Sequence, residues 1–85
     1  MVKRNQFTEL DFTHFVVFTN NGTVFGCAKR DGHVYNFLIK RDGVQQQSGN
    51  SWEDLDPELA DIIRGRVHEA YERVPVYRTG KLNIE

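Results

Sequence analysis

Three dipeptides, Asn21-Gly22, Asp31-Gly32 and Asp42-Gly43, divide a run of β-branched and aromatic residues into pieces of strand length. Asn-Gly and Asp-Gly favour two-residue hairpin turns, because a type I′ turn needs positive φ at both central positions. The turns recur about every ten residues, which leaves room for strands of about eight. The tetrapeptide Lys-Arg-Asp-Gly itself recurs, at Lys29–Gly32 and Lys40–Gly43. The expected organising element is an antiparallel meander. Its three long strands are Phe12–Thr19, Thr23–Arg30 and His33–Lys40, with a short fourth at Val44–Gln47. The polar tract Gln45-Gln46-Gln47 suits a sheet edge that must not recruit other chains.

Ser48-Gly49-Asn50 reads as a loop into the one helix pattern. Asp56-Pro57-Glu58 supplies an N-cap acceptor, a proline at the first helical position and an acid in the first turn. Ser51 with Asp54 offers a second cap, so the helical segment is expected over residues 51–74, with Trp52–Leu55 as a preceding turn. Leu55, Leu59, Ile62, Ile63, Val67, Ala70, Tyr71 and Val74 recur at three- and four-residue spacing, and charged side chains, Arg64 among them, fill the other face. Pro75 ends the helix by pushing Val74 out of the α region. Residues 75–85 are a tail in which Val76-Tyr77-Arg78 is extended and open to forming a short final strand. Residues 1–11 are an irregular lead-in, with one helical turn open at Thr8–Asp11. The class is α+β: a meander over residues 12–47 and one C-terminal amphipathic helix packed on one face, in a single domain over residues 1–85.

Charge and cysteine usage narrow the function classes. With 11 Lys and Arg against 12 Asp and Glu, the chain lacks the basic excess of a dedicated duplex-DNA binder. The single cysteine, Cys27, has no internal partner, which suits a reducing compartment. No apolar run approaches the ~20 residues that cross a bilayer, and the start lacks the apolar core of a signal peptide. The expected setting is the cytoplasm, away from the membrane.

Two-residue turns would fix the register. Asn20 would then stand opposite Thr23, Phe18 opposite Phe25 and Val16 opposite Cys27, with Arg30 opposite His33 and Cys27 opposite Asn36. One face would carry Phe12, Val16, Phe18, Phe25, Val34 and Leu38, with His14, Cys27, Lys29, Asn36 and Lys40. The other would carry Phe15, Val17, Tyr35 and Phe37 around a trough at Gly26 and Ala28, where a helix can approach. One helix covers one face, and the trough points to the second. The first is left apolar and uncovered, which marks an interface on a small chain, unless the lead-in and the tail fold back over it.

The chemistry-bearing residues each have a plainer reading. His14, Cys27 and Asn36 share a face and could form a thiol–imidazole nucleophile, but a buried cysteine beside a partly exposed histidine needs no oxyanion hole and is the expected reading. His14, His33 and His68 lie on different elements, so no metal site is expected, and no cofactor. Lys29-Arg30 and Lys40-Arg41 are sent to opposite ends of the sheet and followed directly by Asp31 and Asp42. The function expected is non-enzymatic: a protein-interaction module, an inhibitor or adaptor, like the small accessory regulators phages carry (an analogy only). It would bind a protein partner, or itself as a homodimer, through Phe12, Val16, Phe18, Phe25, Val34 and Leu38. The alternative is a nucleotide, small anion or single-stranded nucleic acid on the same face, or in a dimer cleft, rimmed by His14, Lys29, Asn36 and Lys40. Trp52 fits either a lid on the core or an interface anchor.

Overall fold

The turns decide the register, and the computed structural model, which describes residues 9–80, shows three different ones. Strands β1 (Asp11–Phe18), β2 (Thr23–Arg30), β3 (His33–Lys40), β4 (Gly43–Ser48) and β5 (Ser51–Asp54) form successive antiparallel hairpins. Helix α1 (Pro57–Ala70) follows, and β6 (Val76–Thr79) returns to lie parallel to β1. The sheet has six strands in the order β5-β4-β3-β2-β1-β6. The α+β class, the meander and the C-terminal helix on one face are as the sequence implies, and the strand count is larger.

Only the second hairpin has the expected turn: Asp31 and Gly32 both take positive φ (52° and 79°), and Arg30 pairs with His33. In the first, Gly22 alone is at positive φ, so no type I′ turn forms. The loop widens to residues 19–22, with Phe18 opposite Thr23 and the Phe18 carbonyl accepting from Asn21 N and Gly22 N at 3.2 and 2.8 Å. Val16 therefore stands opposite Phe25 and not Cys27. A shift of two residues moves side chains along the strand but keeps each on its face. In the third hairpin Lys40 pairs with Gly43, so Arg41-Asp42 makes the turn and Gly43 starts the strand. That register sets Val44 beside Ile39, both buried in the core.

One irregularity moves a side chain to the other face. Phe12 pairs with Ala28 and His14 with Cys27, so Thr13 is the extra residue of a β-bulge. Alternation reverses there, and Phe12 is corrected from the uncovered face to the helix side. Its ring stacks on Phe15 at 5.1 Å between centroids and lies 6.0 Å from Phe37. The trough at Gly26 is thus filled by an aromatic ring from the neighbouring strand.

The helical segment is shorter than residues 51–74. Gly49 at φ 62°, with Ser48 opposite Ser51, closes a two-residue hairpin with glycine at its first central position, as a type II′ turn requires. Residues 51–54 are therefore strand. The helix starts at Pro57, capped by Asp56, whose Oδ1 accepts from Leu59 N at 2.9 Å. It ends at Ala70, and Tyr71–Val74 unwinds toward Pro75. Ala60, Ile63 and Ala70 are buried against Phe15, Phe37, Val44 and Leu10, with Leu59, Val67 and Tyr71 packed around them. Two arginines tie the helix to strand ends: Arg64 donates to the Lys40 carbonyl and Arg66 to the Leu10 carbonyl, at 2.8 and 2.9 Å. Arg64 is thus an anchor and not part of a solvated face. The Gln tract is not a sheet edge, since β5 lies outside it. The edges are β5 and β6, both four residues long, and short edges resist pairing with other chains.

Candidate functional site

With α1 on one side, the other side of the sheet is a face that the described residues leave open, built of cross-strand rows. One row is Asp54, Gln45, Leu38, Phe25, Val16 and Tyr77. The next is Trp52, Gln47, Asn36, Cys27 and His14, and Lys29 beside Asp11 begins the far end. The β1, β2 and β6 part supplies Val16, Phe18, Phe25, Cys27 and Tyr77, the apolar centre of the face. The β4–β5 part is amide and carboxylate, tied laterally by Asn36 Nδ2 donating to Gln47 Oε1 and Gln45 Nε2 to Asp54 Oδ1, both at 2.9 Å.

The expected contact residues divide. Val16 and Phe25 are half-buried and Val34 is exposed, at 56 %. Phe18 and Leu38 lie on the face but are buried in it, at 3 % and 5 %, so they floor it rather than project. Phe12 is in the core beneath the helix. Of the rim residues, His14, Asn36 and Lys40 are half-buried and Lys29 is exposed. Of the lead-in and tail that were the alternative cover for this face, Val76–Thr79 widens it as β6; residues 1–8 and 81–85 lie outside the described residues.

Two contributors come from elements the sequence did not place. Tyr77, 58 % exposed, reaches the face because β6 pairs with β1, Val16 opposite Tyr77. Its ring meets His14 edge-on at 6.2 Å. Trp52 sits on β5 but leans inward, its indole edge-on to Phe25 at 6.5 Å between centroids. Between Trp52 and Thr79 runs a groove of about 380 Å³, lined by Val16, Phe18, Phe25, Asn36 and Gln47. Among the described residues no charged side chain lines it.

His14, Cys27 and Asn36 form one row, with His14 directly opposite Cys27. Two of these side chains are engaged elsewhere: His14 Nδ1 lies 3.1 Å from Thr13 Oγ1, and Asn36 bonds to Gln47. The Thr13 hydroxyl also donates to the Cys27 carbonyl. Of the basic doublets, Arg30 is taken up by Glu9 at 2.7 Å and lies 3.6 Å from Asp31. The hydrogen bond to Glu9, with both acids nearby, holds the Arg30 guanidinium above its ordinary value despite some desolvation. Among the described residues no three of His, Cys, Asp and Glu gather as metal ligands, and no helix is long and apolar enough to cross a membrane. Compared with protein-family models, curated proteins and solved structures, the chain matches none.

Proposed function

We propose that this chain is a non-enzymatic protein-interaction module, an inhibitor or adaptor, that binds its partner through the open sheet face. The observation that carries this reading is the position of Val34 and Tyr77. They are the exposed large hydrophobics of the described residues, and both lie on the face the helix leaves open. Apolar side chains projecting beside a shallow groove and a polar rim are the make-up of a binding surface. A reducing compartment, the cytoplasm, suits the free thiol of Cys27.

A second reading has the groove behind it, since about 380 Å³ is the size of a small-ligand pocket. Its uncharged lining suits an apolar ligand better than a nucleotide, for whose phosphates the open face offers, among the described residues, Lys29 and Lys40.

The test is affinity capture with the wild-type chain and with Val16→Glu and Phe25→Glu, each checked for native circular dichroism. The reading expects both variants to stay folded and to lose what the wild type captures. Unchanged capture by both would overturn it.

A further inference from the structure

Resting on that reading, we propose that the protein bound on the open face is a second copy of this chain. The two copies stack sheet on sheet about a two-fold axis that runs along the strands between β1 and β2.

The apolar side chains place the axis. The open face is least polar around β1, β2 and β6, and the amide-rich β4–β5 side forms its rim. A two-fold axis between β1 and β2 sets β1 over the partner's β2 and β6 over its β3. Each open-face residue of β1 then lies over its own register partner in the other copy. Val16 stacks on Phe25 of the second copy and Phe25 on its Val16, which is the self-complementary pairing a two-fold interface requires. Sheets packed this way keep their strands nearly aligned and about 10 Å apart.

Charge points to a second copy over some other flat protein. Below the Thr13 bulge the pair next to the axis is Asp11 opposite Lys29, both exposed. The same axis lays Lys29 over the partner's Asp11 and Asp11 over its Lys29, giving two reciprocal ion pairs. An unrelated surface would need this charge pattern independently; a second copy brings it. At the far side, Tyr77 of β6 arrives over the partner's Leu38, one row from the Asn36 amide that lines the groove with the leaning Trp52 ring. A projecting phenol and a groove to receive it are thus present on one face.

Light scattering on a size-exclusion column, across a concentration series, reads the mass. The wild type is expected to approach twice 9.9 kDa. Asp11→Lys places lysine over lysine and Lys29→Asp places acid over acid, so each alone should shift to the monomer mass at least tenfold more readily on dilution. Mixed one to one, the two variants oppose unlike charges again and should recover the wild-type mass. Circular dichroism checks that each variant keeps its fold. A wild type that stays monomeric at millimolar concentration overturns the proposal, as does a dimer indifferent to both substitutions, or variants that the mixture does not rescue. If the chain is monomeric while Val16→Glu still abolishes capture of another protein, the dimer fails and the interaction reading stands. If Val16→Glu and Phe25→Glu both leave capture unchanged as well, both fail.

Discussion

A Cβ on Gly26 would lie 2.9 Å from Cε1 of Phe12, closer than packed atoms allow. The Thr13 bulge throws the Phe12 ring across the middle strand, and a glycine there lets it lie flat against the sheet. The ring cannot simply swing away, because Phe15 and Phe37 pack around it.

Gly26→Ala should therefore destabilise the fold. Overpacking costs roughly 1–3 kcal/mol, while losing a glycine from the unfolded chain returns roughly 0.4–1 kcal/mol. The net loss expected is about 1–2 kcal/mol, read as a lower urea midpoint at unchanged slope. Combined with Phe12→Leu, the alanine should cost less than it does alone, since the two positions share one space. Strict additivity would contradict the contact.

The two Lys-Arg-Asp-Gly copies should respond oppositely to the same change. Gly32 sits at φ 79°, and alanine there meets the left-handed penalty of roughly 1–2 kcal/mol. Gly43 has an ordinary backbone and nothing within 4 Å of an added Cβ. Gly43→Ala should be neutral or stabilising by roughly 0.4–1 kcal/mol. In a domain of this size each kcal/mol moves the melting temperature about 4–8 °C, so thermal melts separate the two.

Asp56→Ala removes the side-chain acceptor that caps Leu59 N at the start of α1. Such changes cost about 1 kcal/mol, and Asp56→Asn, which keeps the acceptor oxygen, should cost much less. Equal losses would assign the effect to something other than the cap.

Single-stranded oligonucleotides should leave the Trp52 emission unchanged at moderate salt. Among the described residues the open face carries Lys29, which stands beside Asp11, and Lys40, so it presents few cations to phosphates. A salt-sensitive quench would favour the nucleic-acid alternative.

How much was legible follows from which contacts are local. The β2–β3 hairpin could be read directly, because Asp31-Gly32 has the turn chemistry in the residues themselves. Asn21-Gly22 and Asp42-Gly43 carry the same signal, yet the register settled with Phe18 opposite Thr23 and with Val44 buried beside Ile39, a tertiary choice. The Thr13 bulge has no local signature, so Phe12 was placed on the wrong face. Gly49-Asn50 is a hairpin pair in its own right, but Ser51 and Asp54 resemble a helix cap and hid β5. Tyr77 could not be placed, because the β6–β1 pairing joins residues some sixty positions apart. That the helix packs on one face only was anticipated; two of the rings on the other face, Trp52 and Tyr77, come from the strands that were missed or left open.

Trp52 is the single tryptophan and leans over Phe25 beside the groove, so its emission reports directly on whether that face is covered. The most direct measurement is its emission maximum along a dilution series of the wild type, beside Val16→Glu. The expected result is a red shift on dilution whose midpoint coincides with the fall in mass, with Val16→Glu already red-shifted at high concentration. An emission maximum that is constant on dilution and identical in the two proteins would contradict the use of the open face by a second copy.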